Sequence, residues 1–541
     1  MVDLVLGPLQ RYAGDASATV WVETDASCEV TVMGSTTPTF CVHGHHYALV
    51  EITDLEPATT YPYEVALDGA RVWPPPGYDL PDPVIRTGGA GDTIITFGSC
   101  RGAAPLERPW TLERAEHEHG LGPDALTAYA DRMIDADTDD WPDLLLLLGD
   151  QVYADDASPD TRAFIRQRRD TGEPPGEEIA DFEEYTRLYR ESWSTPLVRW
   201  LLSTVPVAMI FDDHDVIDDW NISQQWLEEV RATGWWHARI IGALVSYWIY
   251  QHLGNLDPKA LADDDLYRRV RAADDAGALL DAFAEEADRD PEAVRWSFER
   301  RLGDDHLIVV DSRAARVLAE DRRDMLDEVE WRWLESLAAE PCRHLLIGTS
   351  LPVLMPRSVH DVERWNQQVA RGAWGRRAAR WAEKVRQDYD LEHWPAFPRG
   401  FERMLRLVLD AASRPDGPTS VTLLSGDVHH GYVARLHVNA DTPVHQVVAS
   451  PMRQSVEPLL LKAYRVGVGL PGRAVARALA RLSGLGPSPF RWERVSRTLF
   501  DNHIATIRAE ARGVDLRIET AHQLRSHGPA ELRPAISMRL A

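Results

Sequence analysis

Four short apolar runs in this 541-residue chain each end at residue types that bind metal ions. Such runs predict strands that are buried on both faces. The runs are 94–97 before Gly98-Ser99-Cys100, 144–148 before Gly149-Asp150-Gln151-Val152-Tyr153, 207–211 before Asp212-Asp213-His214-Asp215, and 421–424 before Ser425-Gly426-Asp427-Val428-His429-His430. Because ligands in open α/β folds bind just beyond the carboxyl ends of the strands, these side chains are expected to meet at one edge. The pattern therefore predicts a metal site, and in particular a site for two ions.

The length and charge of the chain limit its organisation and its partners. A chain of 541 residues is too long for one ordinary core, so two domains or one large decorated domain are expected. With 85 acidic and 58 basic side chains, the net charge is −27, which repels phosphate backbones and predicts no nucleic-acid partner. An anionic substrate would need local positive charge, which bound metal ions supply.

Two domains are predicted from the change of pattern along the chain. Residues 1–88 alternate with period two, as in Ala18–Glu23, and are expected to form a small β-sandwich of the fibronectin or immunoglobulin kind. Gly88–Gly91 resembles a linker. Residues 89–541 alternate apolar strands with long helical stretches, which predicts an α/β domain with helical insertions at 156–200 and 220–300.

The cysteines and the apolar segments bear on the cellular environment. Cys28 and Cys41 could pair within the sandwich, but free core thiols are the favoured interpretation. The N-terminus shows no basic segment or twin arginine typical of an export signal. The longest apolar helical stretch, Ile240–Tyr250, falls short of the roughly 20 residues that cross a bilayer. We therefore expect a cytoplasmic protein with no transmembrane segment.

The residues after the second and third runs suit a two-metal centre. Asp150 could bridge two cations, and Tyr153 could reach the same ion, because a phenolate prefers a trivalent ion such as Fe³⁺. The alternative for Asp150 alone is a turn aspartate that caps the next helix. Asp213 could hold the outer ion, and His214 could meet the phosphoryl oxygen or the leaving group. An acidic helix cap suffices to explain Asp218 and Asp219.

The fourth run and the first supply the remaining candidate ligands. An extended backbone over Asp427-Val428-His429 would place both ligands on one side. Asp427 suits the harder divalent ion and His429 the Fe³⁺ site, while His430 would point away. Cys100 could be an ordinary core thiol, but a thiolate ligand at a strand end is favoured.

Two further patterns lie outside this set. Gly467–Gly472 matches a dinucleotide-binding pattern, but it follows a helical stretch and contains Pro471, so it is rejected. Arg473, Arg477 and Arg481 recur every four residues, and a basic run covers Arg371–Arg386. Both could contact anionic surfaces, although a solvated face is the favoured interpretation.

The four motifs, in this order between Phe97 and His429, resemble the PhoD-like alkaline phosphatases, which belong to the calcineurin-like metallophosphoesterases and are related to purple acid phosphatases. The resemblance implies a four-layer α/β/β/α sandwich after the small all-β domain. It implies Fe³⁺ bound by Cys100, Asp150, Tyr153 and His429. It also implies a second ion, usually Ca²⁺ with Mn²⁺, Mg²⁺ or Zn²⁺ as alternatives, bound by Asp150, Asp213 and Asp427.

The same resemblance implies a reaction. The enzyme would hydrolyse small-molecule phosphate monoesters or diesters, with a metal-bound hydroxide attacking phosphorus in line and with His214 and Arg101 steadying the phosphoryl group. The sequence leaves two alternatives open. One is a metal-binding scaffold without activity, and the other is a metallohydrolase that acts on a non-phosphate ester.

Overall fold

The N-terminal region is a β-sandwich, in a computed structural model that describes residues 2–89, 91–456, 464 and 466–541. Its strands are β1 (Leu4–Ala13), β2 (Ala18–Thr24), β3 (Glu29–Val32), β4 (Ser35–Pro38), β5 (Phe40–Val42), β6 (His45–Ile52), β7 (Thr60–Pro62), β8 (Val65–Leu67), β9 (Ala70–Trp73) and β10 (Val84–Arg86). They form the sheets β1-β2-β6-β5 and β4-β3-β8-β9 and the pair β10-β7. Cys28 and Cys41 are free thiols, as expected.

The sandwich packs directly on the rest of the chain. Strand β2 is buried along its whole length, so both of its faces need apolar cover. Val20 and Val22 point into the core of the sandwich, whereas Trp21 and Tyr47 belong to the large core of the following region. The alternation of a strand therefore places one set of side chains in each core.

The second region contains two mixed sheets. Its strands are β11 (Thr93–Gly98), β12 (Leu144–Leu148), β13 (Val207–Ile210), β14 (Phe298–Leu302), β15 (Asp305–Val310), β16 (His344–Thr349), β17 (Ser420–Ser425), β18 (Tyr432–Leu436), β19 (Val444–Val448), β20 (Trp492–Arg494), β21 (His503–Glu510), β22 (Gly513–His522) and β23 (Glu531–Arg539). The first sheet has the order β13-β12-β11-β21-β22-β23, and the second β14-β15-β16-β17-β19-β18-β20. In the first sheet, β11, β12 and β13, which precede candidate ligands, are parallel to one another. In the second sheet, β17, which precedes the last candidate ligands, is parallel to β16.

Helices cover the outer faces of both sheets. They are α1 (Ala125–Ile134), α2 (Pro159–Arg168), α3 (Phe182–Trp193), α4 (Pro196–Thr204), α5 (Gln224–Arg231), α6 (Trp236–Tyr247), α7 (Pro258–Asp263), α8 (Asp265–Ala272), α9 (Gly277–Arg289), α10 (Glu328–Ala338), α11 (Arg357–Ala370), α12 (Arg376–Asp388), α13 (Pro398–Ser413) and α14 (Leu470–Leu482). Helix α1 packs on the first sheet, and α10 and α13 pack on the second. Segments 156–200 and 220–300 carry α2–α4 and α5–α9.

The two sheets stack face to face, as the alternating directions of the side chains along β15 show. Leu307 and Val309 pack with Leu146 of the first sheet, whereas Ile308 and Val310 pack under the helices on the other side. The predicted α/β/β/α sandwich after an all-β region is therefore confirmed. The boundary between domains at 88 and 89 stays a prediction. Among the described residues, no helix is long and apolar enough to cross a membrane.

Candidate metal centre

The carboxyl ends of four strands meet at one edge, as the apolar runs predicted. Cys100 follows β11, Asp150 follows β12, Asp213 follows β13 and Asp427 follows β17. Three groups of side chains at this edge bring their ligand atoms within 4.8 Å of one another. The groups are Cys100, Asp150 and His429; Asp150, Asp213 and His214; and Asp212, Asp213 and Asp427. Asp150 and Asp213 each belong to two groups, so the three form one continuous cluster.

The backbone turns sharply where these side chains leave the strands. Cys100, Asp150, Asp427 and His429 have φ angles of 55°, 49°, 65° and 48°, in the left-handed region that non-glycine residues rarely adopt. The extended Asp427–His429 segment predicted above is therefore wrong. His429 N–H donates to the Asp427 carbonyl instead, so a tight turn sends Asp427 and His429 to different groups. Such backbone strain is common at functional sites.

Glycine is required beside two of these turns. A Cβ atom on Gly149 would lie 2.6 Å from the Cβ of Asp212, and one on Gly426 would lie 2.1 Å from the Oγ of Ser99. Gly149 also has a φ of 105°. The two Gly-Asp pairs of the motifs thus have a steric cause, because only glycine lets the strand ends approach this closely.

The first group is buried and lacks positive charge of its own. Asp150 Oδ1 and the Tyr153 hydroxyl are buried without a hydrogen-bond partner in the described structure. Burial, followed by the charges of Asp150 and Asp427, raises the pKa of the Cys100 thiol. Burial, followed by Asp150 and Cys100, likewise raises the pKa of Tyr153. Because these side chains bind metal in their anionic forms, a bound cation would contact the orphaned oxygens and would lower the pKa of both the Cys100 thiol and the Tyr153 hydroxyl. The donor set therefore fits a metal ion.

The third group, of Asp212, Asp213 and Asp427, contacts a cation that belongs to the chain. Arg313 is fully buried and donates to Asp212 and Glu392. Its Nη2 lies 3.2 Å from Asp213 Oδ1 and 3.3 Å from Asp427 Oδ1. Burial opposes the charge of Arg313, but these carboxylates outweigh it and raise the pKa of Arg313. Sequence reasoning missed Arg313 as a site residue, although it follows the end of β15 in the same way as the candidate ligands follow their strands.

His214 is held by a carboxylate outside the ligand groups. Its Nδ1 lies 2.8 Å from Asp155 Oδ2, and its ring centre lies 4.8 Å from that of Tyr153. Burial lowers the pKa of His214, but Asp155, Asp213 and Asp150 together raise the pKa well above its usual value. The contact with Asp155 fixes the orientation of the ring. Nε2 then lies 3.7 Å from Oδ1 of Asp218, which lines the same cleft as the cluster.

A second histidine approaches the cluster from the segment between α12 and α13. His393 Nε2 lies 3.2 Å from Asp427 Oδ2, and its Nδ1 lies 2.7 Å from Glu363 Oε1 on α11. Glu363 is fully buried. Glu363 thus orients His393, and His393 orients Asp427. Carboxylate and imidazole groups outside a metal site commonly orient its ligands in this way.

Arg101 lies apart from the open face of the cluster. Its guanidinium makes hydrogen bonds of 2.7–3.3 Å to both oxygens of Asp124, and its Nη1 donates to the Ser192 carbonyl at 3.0 Å. The side chain is buried. A role for Arg101 in phosphate binding stays a prediction, and these contacts favour an indirect, positioning role.

The cluster opens into a cleft of about 470 Å³. Its floor includes Asp213, His214, Asp427 and His429. Aromatic side chains line its rim, namely Tyr389, Tyr464 and Phe500. A polar, acidic floor under an aromatic rim can bind metal ions below and an organic phosphate ester above.

A cluster of Asp, Cys, Tyr and His side chains at the shared edge of two stacked sheets, with orphaned oxygens on Asp150 and Tyr153, is typical of a metal-dependent enzyme. The family model for PhoD-like phosphatases matches residues 124–459, and that for a domain of unknown function, DUF7800, matches residues 1–85. The chain therefore belongs to the PhoD-like phosphatase family, and it is a metal-dependent phosphoric ester hydrolase.

One of the solved structures that align with the chain has the same fold. A structure of PhoD aligns with a TM-score of 0.59 at 12% identity, over 98% of this chain and 89% of that chain. A purple acid phosphatase isolated from yellow lupin (Lupinus luteus) seeds aligns with a TM-score of 0.49 at 11% identity, over 95% of this chain and 71% of that chain. No curated protein sequence matches the chain.

Proposed function

We propose that this enzyme hydrolyses small-molecule phosphate monoesters or diesters at a dinuclear centre of Fe³⁺ and a divalent ion. The observation that carries the proposal is the sharing of Asp150 between two ligand groups in one cleft. A carboxylate shared in this way can bridge two ions about 3.5–4 Å apart. Cys100 in the first group and Tyr153 close to it support Fe³⁺, because an anionic sulfur and a phenolate favour it over a hard divalent ion.

The proposed ligands follow the two sides of the cluster. Fe³⁺ would be bound by Cys100, Asp150, Tyr153 and His429. The divalent ion, with Ca²⁺ as the first candidate and Mn²⁺, Mg²⁺ or Zn²⁺ as alternatives, would be bound by Asp150, Asp213 and Asp427. When bound, the two ions would polarise the phosphoryl oxygens and lower the pKa of water.

The side chains around the ions would handle orientation and protons. Asp155 fixes His214 through Nδ1, so that Nε2 can donate a hydrogen bond to the leaving oxygen or to the phosphoryl group. Arg313 partly neutralises the acidic floor, which lowers the repulsion that an incoming phosphate would meet. Arg101, through its pairing with Asp124, would hold the loop that follows Cys100.

Metal analysis and the visible spectrum of protein purified without chelators test this proposal. We expect roughly one iron per chain, a divalent ion, and a visible charge-transfer band. Tyr153→Phe should lose the band. The matched control is Tyr129→Phe, because Tyr129 is also buried but accepts a hydrogen bond from the Thr96 hydroxyl in a different part of the core. A colourless wild-type protein, or a band that survives Tyr153→Phe, would contradict the assignment of Fe³⁺ to Tyr153.

Substrate preference is tested on the same preparations. Matched aryl phosphate monoesters and diesters should both be turned over, and their ratio of kcat/KM would rank them. Iron-loaded protein that hydrolyses neither, yet cleaves a carboxylic or sulfate ester, would overturn the proposed substrate class.

A further inference from the structure

Helix α14 exposes apolar and basic side chains together. Leu470, Val475 and Leu482 are 81%, 59% and 73% exposed. Arg473, Arg477 and Arg481 are exposed as well, and their spacing of four residues aligns them along the helix. Val475 and Leu482 are separated by seven residues, or two turns, and therefore lie on one line. At about 100° per residue, that line lies roughly 150° around the helix from the arginine row, so the aliphatic and the basic side chains border the exposed arc of α14 from opposite sides. Several large exposed aliphatic side chains on one helix mark a surface that contacts a membrane or another protein.

Two exposed tryptophans extend this surface. Trp374 is 40% and Trp381 is 51% exposed, and both contact the ring of the buried Trp365 on α11. The indole nitrogen of Trp374 donates to the Leu482 carbonyl at 3.2 Å, so the end of α14 and the turn before α12 form one surface. We call α14, Trp374 and Trp381 the docking face.

The charge around the docking face is opposite to that of the whole chain. Segments 371–386 and 466–482 carry eight exposed basic side chains and no exposed acidic one, whereas the net charge of the protein is −27. Like charges crowd behind the face as well. Burial and, after it, the neighbouring Arg477, Arg364 and Arg491 together lower the pKa of Arg357 to about 10, although Asp361 opposes them. A local excess of this size favours an anionic partner.

The mixture of groups decides which anionic partner fits. We propose that the docking face binds the surface of a bilayer that contains anionic phospholipids. Arginines would contact the phosphate headgroups, while Leu470, Leu482 and the tryptophans would enter the boundary between headgroups and acyl chains. A nucleic acid or an acidic protein could pair with the arginines, but the exposed aliphatic side chains would gain little from a phosphate backbone.

The docking face lies beside the catalytic cleft. Helix α11 supports both, because Trp365 and Val369 pack under the face while Val359 and Glu363 line the cleft. Tyr464, at the rim of the cleft, lies shortly before α14 in the chain. Docking would therefore bring the mouth of the cleft close to the bilayer and to phosphate esters located there.

Cosedimentation of the full-length protein with vesicles tests the proposal. Vesicles of phosphatidylcholine alone are compared with an equimolar mixture of phosphatidylcholine and phosphatidylglycerol. We expect binding to the mixed vesicles that weakens as salt is added. Changing Arg473, Arg477 and Arg481 together to Gln should weaken partitioning on the order of 100-fold. Changing Leu470 and Leu482 together to Ser should weaken it on the order of tenfold.

A matched control carries the same charge change elsewhere. Arg268, Arg269 and Arg271 are exposed on α8, and their joint change to Gln should leave vesicle binding unchanged. Because the readout is partitioning, it is independent of the metals and of the substrate proposed above. The proposal is overturned if the wild type does not bind mixed vesicles, if it binds phosphatidylcholine equally well, or if both arginine variants lose binding alike. It is also overturned if duplex DNA binds as tightly and the serine variant binds vesicles normally.

Discussion

Two buried polar networks in this enzyme contrast in how their groups are satisfied. One joins the N-terminal sandwich to the α/β region, and the other is the acidic cluster at the strand ends. In the first, the buried Arg11 donates to the carbonyls of Val207, Tyr250 and Gln251 at 2.5–3.1 Å. In the second, Asp150 and Tyr153 keep polar atoms without partners in the described structure.

Glu23, the carboxylate of the joining network, has partners for its oxygens in the same way. Glu23 accepts from Tyr250 at 3.0 Å and lies 3.3 Å from His45, and Tyr250 also meets the hydroxyl of Tyr47 at 3.1 Å. Buried groups with all their partners hold a structure together, whereas buried groups without partners cost stability unless a ligand completes them. The difference teaches that the joining network is structural and that the acidic cluster is built for cations.

The two networks meet at Gln251. Its backbone carbonyl accepts from Arg11, and its side-chain nitrogen lies 3.1 Å from Asp215 Oδ1. Asp215 in turn accepts from the backbone N–H of Asp212, at the edge of the acidic cluster. Changes on either side therefore show whether the networks act separately or together.

The largest expected effect is that of Asp150→Asn on catalysis. We expect kcat to fall on the order of 10³-fold or more, because the shared ligand is lost. The unfolding free energy of metal-free protein should not fall, since the change removes a buried charge without a partner. Asp124→Asn is the matched control, because Asp124 is equally buried but paired with Arg101, and it should lose about 3–5 kcal/mol of stability. Activity assays and denaturant unfolding measure kcat and stability for both variants. Equal losses of stability would show that Asp150 and Asp124 do not differ in how their charges are satisfied.

Arg11→Met tests the joining network. Three buried carbonyls would lose their donor, which should cost about 2–5 kcal/mol of unfolding free energy. At a temperature where the variant stays folded, kcat should match that of the wild type. Urea unfolding and kinetics on the same preparation measure the two quantities. A folded variant with much lower kcat would show that Gln251 couples the networks.

Arg313→Met tests the arginine that pairs with the acidic cluster. The buried carboxylate of Asp212 would lose its arginine partner and Glu392 would keep only Arg316, and we expect kcat/KM to fall about 10- to 100-fold. The fall should lie mainly in KM, because the acidic floor would repel an anionic substrate. Arg313→Lys keeps the charge and should recover part of the loss. A variant with unchanged KM would remove the electrostatic role.

The smallest effect is a pH dependence of stability from the joining network. Hydrogen bonds to Glu23 and Glu183 raise the pKa of His45 to about 9, against the opposing effect of burial. Because the folded pKa exceeds the unfolded one, this stabilisation is complete below about pH 6.5 and is lost as pH rises through 9. We expect the wild type to lose about 1–2 kcal/mol between pH 7 and 10, after allowance for solvent screening. His45→Gln should lose less, while His46→Gln should behave like the wild type.

Much of the fold and of the candidate site could be predicted from local patterns. The apolar runs at 144–148 and 421–424 form β12 and β17 in the structure, and a Gly-Asp pair follows the end of each strand, as predicted. Steric exclusion explains this success, because a glycine that permits close approach and an acid that follows it are neighbours in the chain. The one local error, the extended backbone over Asp427–His429, arose because period-two reasoning does not anticipate a left-handed turn.

The partners of these groups could not be predicted in the same way. Arg313 meets Glu392 across 79 residues, and Arg11 meets Val207 across 196. An arginine beside an aspartate in the sequence is ordinary for an exposed turn, and only burial makes its pairing obligatory. Arg101 illustrates the reverse, since its position next to Cys100 indicated the cleft but the folded chain turned it towards Asp124.

The sequence by itself determined which strands are buried on both faces, where each ends, and which ligand types stand at those ends, because these depend on residues close together in the chain. Only the tertiary structure decided which carboxylates lie together at the strand ends, which ones Arg313 neutralises, and that Arg11 holds the sandwich against the catalytic region. The physical reason is that a buried charge must find a partner wherever the stacked layers place one, and that placement is a property of the whole packing.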